Sequence, residues 1–188
     1  MTSNHWQLLY NAYKVNPDIF KDLDFSQAIT FHGVEGDVNQ PHWHIKEQLG
    51  DYKFDFIRTM SGKKLTFSDD LGLVGLSSID LNYSHCYLTE GVSDFIAVKI
   101  MSTQKNVLGL TKLSGSSEAR KILVALFDLF TIFGDNDLSV EGKQVNTGVT
   151  NMSRLSKFLR EHNKKVRIII PAGGHKDMAE VFVMKQNF

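Results

Sequence analysis

Cys86-Tyr87-Leu88-Thr89-Glu90-Gly91-Val92-Ser93-Asp94 is the stretch on which the fold turns. Four residues suited to a buried strand run straight into an acid and a glycine, and from Val92 to Met101 the apolar residues fall at helical spacing. The pattern recurs downstream, where Leu129 to Phe133 reads as a second buried strand and Gly134 leads into Asp135-Asn136-Asp137. A third version, Val166 to Ile170 followed by the loop Pro171 to Lys176, delivers Asp177. A strand near Val107 to Thr111, and helices starting after Ser116-Ser117, near Met152 and near Asp177, fill the intervals. Four apolar strands joined by helical crossovers imply a parallel sheet covered on both faces, because parallel neighbours need a long return path. Ligands of such sheets gather at the carboxyl ends of the strands, which is where Glu90, Asp135, Asp137 and Asp177 would lie. Like charges gathered at one edge raise one another's pKa unless a cation neutralises them, and an all-oxygen donor set suits Mg²⁺ or Mn²⁺ rather than zinc. Phosphoryl or nucleotidyl chemistry is the expectation.

Upstream the character changes. Residues His5 to Lys14 place Trp6, Leu9, Tyr10 and Tyr13 at helical spacing, and Asn16-Pro17 would stop that helix. From Trp43 to Phe67, period-two segments broken at Gly50-Asp51 and Ser61-Gly62 read as an antiparallel meander. Gly72-Leu73-Val74-Gly75-Leu76 and Ser77-Ser78 form a glycine- and serine-rich connection, read as the subdomain boundary. The expected organisation is an N-terminal subdomain over 1–80, holding the meander, and a second domain over 81–188. With 188 residues and 42% hydrophobic content the chain can bury one substantial core. Its 21 basic and 21 acidic residues cancel, so any binding of nucleic acid has to come from a local basic patch. The single Cys86 excludes an intrachain disulfide and a zinc ribbon and fits a reducing compartment. With no secretory or membrane-length apolar run, the expectation is an intracellular, cytoplasmic protein without a membrane partner.

Strand-Glu-Gly, strand-Asp-x-Asp and strand-loop-Lys-Asp, in this order and with helices between, resemble the TOPRIM domain shared by topoisomerases, primases and some nucleases. Phe54 to Arg58, Ser61-Gly62-Lys63-Lys64-Leu65-Thr66-Phe67 and Gly72-Leu73-Val74-Gly75-Leu76 extend the resemblance to the primase half of phage-type primase-helicases and their mitochondrial relative Twinkle. They look like that family's basic strand, its lysine-bearing turn and its Gly-Leu-x-Gly step. The resemblance runs from Trp43 to the C-terminus. It implies an α/β protein whose C-terminal TOPRIM domain, a parallel sheet with flanking helices, follows a small β-rich or α+β subdomain. It also implies a DNA primase-type nucleotidyltransferase that makes short primers from nucleoside triphosphates on single-stranded DNA by a two-metal mechanism. Glu90, Asp135, Asp137 and Asp177 would be catalytic and would hold Mg²⁺ or Mn²⁺, and Arg58 with Lys63 or Lys64 would contact nucleotide or template phosphates. Asp94 and Lys176 would support them, although Asp94 equally reads as a first-turn acid favoured by the helix dipole. No Gly-x-x-x-x-Gly-Lys-Ser/Thr loop is present, so a separate replicative helicase is the implied partner. A phage-encoded version would act in the host cytoplasm.

Three positions depart from the family pattern. Leu138-Ser139-Val140-Glu141 stands before Gly142, so the helix after Asp137 should start late; Phe56 replaces a common lysine; and Ala179 follows Lys176-Asp177-Met178, with Glu180 the nearest acid. Two alternatives therefore stay open: a TOPRIM nuclease using the same ions, and a catalytically weak TOPRIM module that recruits replication proteins. Elsewhere, His42-Trp43-His44 would put two imidazoles on one strand face without a third ligand, and Ser116 reads as a helix cap rather than a nucleophile.

Overall fold

Alternation of apolar and polar side chains carries the first half of the chain into an antiparallel sheet. The computed structural model describes residues 29–32, 41–59, 64–66, 72–102, 104, 106–111, 116–137 and 147–186. Strands β1 (Ile29–His32), β2 (His42–Leu49), β3 (Tyr52–Thr59) and β4 (Lys64–Thr66) pair antiparallel in that order. On β2, Trp43, Ile45 and Glu47 are buried while Lys46 and Gln48 are exposed, as a period of two requires of a sheet with one covered face. Strand β1 is additional to the meander expected from Trp43 to Phe67. The helix expected over His5 to Lys14 lies outside the described residues.

The second sheet comprises β5 (Leu73–Val74), β6 (His85–Glu90), β7 (Asn106–Leu110), β8 (Leu129–Phe133) and β9 (Lys165–Ile169), in the order β5-β7-β6-β8-β9. Strands β7, β6, β8 and β9 are mutually parallel, joined by α1 (Gly91–Met101), α2 (Ser117–Leu126) and α3 (Thr147–Glu161), and α4 (Met178–Gln186) follows β9. The Ser116 hydroxyl accepts the Ala119 N–H at 3.1 Å and caps α2, as the sequence suggests. Cys86, Leu88, Phe95, Leu108, Leu123 and Phe130 are fully buried in the core of this α/β architecture.

Two expectations change. The glycine-rich connection is itself a strand: Leu73 and Val74 are fully buried and pair antiparallel with Leu110 and Gly109, giving the parallel sheet a fifth, edge strand. Helix α3 begins at Thr147, before the expected Met152, yet still well after Asp137. A buried carboxylate ties the two sheets together. Glu47 on β2 accepts the Gly75 N–H at 2.6 Å, the Ser77 hydroxyl at 2.6 Å and the Ser77 N–H at 3.2 Å. Burial raises its pKa despite these donors, so this link holds a partly desolvated acid by hydrogen bonds alone. Among the described residues no helix is long and apolar enough to cross a membrane.

Candidate active site

Strands β6 and β8 are neighbours with Leu88 opposite Ile132, so Glu90, the last residue of β6, and Asp135, just past β8, arrive at the same edge. The start of α3 reaches that edge because residue 148 is glycine. A Cβ there would stand 2.7 Å from both the Cβ and the carbonyl oxygen of Asp135, closer than real contacts allow. Asp137 fixes this approach: it is buried, and its Oδ2 accepts the Gly148 N–H at 2.9 Å.

Two further carboxylates meet at the other end of the same edge, on the N-terminus of α4. The first N–H groups of a helix lack intrahelical partners and carry positive potential. Here Asp177 caps the helix by accepting the Glu180 N–H at 2.9 Å, and Asp94 reaches across from α1 to accept the Ala179 N–H, also at 2.9 Å. Glu180 turns back to accept the Lys176 N–H at 2.7 Å. The Lys176 ammonium lies between acids, 3.5 Å from Asp135 Oδ2 and 3.4 Å from Asp177 Oδ2.

A cavity of about 400 Å³ opens over this edge, lined by Glu90, Asp94, Asp135, Lys176 and Asp177 and, from the antiparallel sheet, by Arg58 and Lys64. Arg58 and Lys64 stand directly opposite each other on β3 and β4. The structure thus brings together, around one cavity, most of the residues singled out in the sequence. Asp137 is buried and is not among the residues that line it, and Lys63 is outside the described residues.

The electrostatics follow from the crowding. Burial, then Asp135 and Asp137, raises the acid of Glu90. Burial, Asp177 and Asp137 likewise raise Asp135, against the lowering effect of Lys176. Asp94, only 6% exposed, is pushed up to about 8 by burial first and by Asp177 and Asp135 next. Burial alone would lower the Lys176 ammonium, but Asp135 and Asp177 outweigh it and its pKa is raised. Among the described residues no three His, Cys, Asp or Glu side chains converge closely enough to enclose an ion as they stand. The donor chemistry nevertheless fits Mg²⁺ or Mn²⁺: every candidate ligand is a carboxylate oxygen, and Glu90 and Asp135 repel each other in a way that a divalent cation relieves.

The imidazole pair on β2 is engaged within its own sheet. The His44 Nε2 lies 2.5 Å from Asp55 Oδ1, and the His42 ring stacks on His32 with centroids 5.2 Å apart. Glu47 escapes sequence reasoning, and Glu180 enters it only as a nearby acid without a role. The signal for Glu47 was present, since it continues the buried alternation of Trp43 and Ile45, whereas nothing in the sequence marks Glu180 as returning to Lys176.

No family model matches the sequence, and no curated protein matches it either. Solved structures do. A DNA primase domain from Pseudomonas aeruginosa superposes with a TM-score of 0.54 at 17% identity, over 80% of this chain and 51% of that one. A DnaG primase catalytic domain, solved bound to single-stranded DNA, gives 0.57 at 12% identity over 95% of this chain and 60% of its own. The Aquifex aeolicus primase, zinc-binding and RNA polymerase domains, gives 0.50 at 11% identity over 99% of this chain and 48% of its own. The chain therefore spans about half of the length of these structures. At such identities the likeness establishes fold alone: the chain shares the fold of the part of these primase catalytic domains on which it superposes.

Proposed function

We propose that this chain is a DNA primase-type nucleotidyltransferase, joining nucleoside triphosphates into short primers on a single-stranded DNA template. The observation that carries the reading is the cavity itself: two cations from one sheet, Arg58 and Lys64, face the carboxylates Glu90, Asp135 and Asp177 of the other. Two cations side by side on paired strands, across a cavity from carboxylates, suit a polyanion that is also held by a metal, and a triphosphate or template phosphate is such an anion. Glu90, Asp135 and Asp177, with the buried Asp137, would hold Mg²⁺ or Mn²⁺, which when bound supplies charge stabilisation at the transferring phosphoryl group. The chain's own residues do the positioning. Arg58 and Lys64 grip phosphate oxygens, and the Asp137 contact to Gly148 holds Asp135 at the edge.

The finer assignment to the phage-type, Twinkle-like branch rests on the Phe54 to Arg58 strand, the Ser61 to Phe67 turn and the Gly72 to Leu76 step, and with it comes a separate helicase as partner and a cytoplasmic setting. The test is incubation of the chain with labelled ribonucleotides, single-stranded template and Mg²⁺ or Mn²⁺. Template-dependent oligonucleotides are the expected product. Template degradation would identify a nuclease instead, and no turnover with intact binding would identify a recruitment module.

A further inference from the structure

The carboxylates of the edge fall into two sets that share Asp135. Glu90 feels Asp135 and Asp137, Asp94 feels Asp177 and Asp135, and both feel Lys176 more weakly, so it is distance that places the ammonium against Asp135 and Asp177. The Lys176 ammonium stands in the second set, nearly equidistant from Asp135 and Asp177 at 3.5 and 3.4 Å. We propose that Lys176 is a resident second cation: its ammonium fills one of two cation positions on this edge, so that the chain takes only one divalent ion tightly, on the Glu90 side of Asp135. This rests on the reading of the edge as a Mg²⁺ or Mn²⁺ site.

Backbone anchoring sets Lys176 apart from a wandering surface lysine. Its carbonyl accepts the Asn136 N–H at 2.5 Å, between Asp135 and Asp137, and its own N–H donates to Glu180. Gly173 and Gly174, both at positive φ (73° and 81°), make the turn that brings the chain back to this point. With the backbone held on both sides, only the four-carbon stem can move. Its side chain is one-third exposed, so the ammonium has a path into the cavity when displaced. Displacement is required for a second divalent ion. Magnesium binds carboxylate oxygens at about 2.0–2.1 Å, and an ammonium resting between the same two carboxylates blocks that approach. Lysine supplies this charge as a compact point, and a guanidinium would keep the charge at the same position in a flatter, two-pronged geometry.

The experiment is a Mn²⁺ titration followed by electron paramagnetic resonance and calorimetry on the full chain, its Lys176→Met, Lys176→Arg and Asp135→Asn variants. One tight Mn²⁺ is expected in the parent and in Lys176→Arg, and two in Lys176→Met, whose second site tightens at least tenfold. If Lys176→Met melts early without metal, Mn²⁺ should restore its melting temperature; failure to do so overturns the proposal. Two equally tight ions in the parent, or one in both parent and Lys176→Met, also overturns it. Mn²⁺ binding that ignores Asp135→Asn, or no binding by any variant, removes the metal site itself. Binding lost in Asp135→Asn, with equal stoichiometry in parent and Lys176→Met, removes only the resident cation.

Discussion

Asparagine in place of Asp94 removes a charge while keeping the volume and an oxygen that can still accept the Ala179 N–H now held at 2.9 Å. In the folded chain the acid of Asp94 lies at about 8, against an ordinary 3.8, because it is buried and faces Asp177 and Asp135. Between these two values the folded state holds a proton that the unfolded state has released. Folding stability therefore falls as pH rises through this window and levels off above the upper value. One proton corresponds to about 1.4 kcal/mol per pH unit, so from pH 5 to pH 7 this residue alone removes at most about 3 kcal/mol. Relaxation around the ionised group trims that figure, and a loss of ~1 to 3 kcal/mol is the working range. Urea unfolding with a chelator present, at half-unit steps of pH, measures it. Asp94→Asn should match the parent only below about pH 4 and exceed it progressively from there toward pH 8. Parallel stability curves for the two proteins would refute the assignment of Asp94 as a buried, protonated acid at neutral pH.

Other perturbations test the remaining links. Glu47→Ala strips the partner from the Gly75 and Ser77 donors between the two sheets and should cost about 2 to 4 kcal/mol, read from the urea midpoint. Gly148→Ala drives a methyl against Asp135 and should cost about 1 to 3 kcal/mol, with the melting temperature falling accordingly. Replacing Arg58 and Lys64 together by alanine should weaken binding of single-stranded DNA and reduce the slope of log K against log salt by about 1.4, leaving Mn²⁺ binding unchanged. Cys86 is fully buried and its thiol is pushed well up by burial, so a thiol reagent should label it only on unfolding.

Strands β6 and β8 were legible as apolar runs followed by a polar break. Strand β9 alternates, with Lys165 and Arg167 exposed, so at that edge the sheet is not covered on both faces, contrary to the expectation from sequence. Strand β5 was not legible. Over two residues no period can be counted, and Leu73–Val74 is a strand only because Leu110 and Gly109 of β7 lie beside it. The start of α3 was displaced for a related reason. Thr147-Gly148-Val149-Thr150 is a poor helix-forming run, and what begins the helix there is the Asp137 carboxylate on the Gly148 N–H, eleven residues away in sequence. The acids of the candidate site were readable one by one from their strands. Their sharing of Lys176 was not, since Asp135 and Lys176 are 41 residues apart and meet only through the return of the β9–α4 loop.

Charge balance in the cavity links these pieces. Asp94, with its acid at about 8, is mostly neutral at physiological pH, so Glu90, Asp135 and Asp177 are left to face Arg58, Lys64 and Lys176. Together with Asp137, which also acts on Glu90 and Asp135, these acids are largely offset by the three cations, and this offset reduces the repulsion at the sheet edge when nothing is bound. The balance is arranged asymmetrically: Lys176 belongs to the acidic wall, while Arg58 and Lys64 stand on the opposing sheet. A divalent ion added to the acidic wall would make the cavity cationic, and the charge best able to restore neutrality is a polyphosphate reaching across to Arg58 and Lys64. Metal and nucleotide should therefore each favour binding of the other, through a coupling that depends on the Glu47 link keeping the two walls apart at fixed distance.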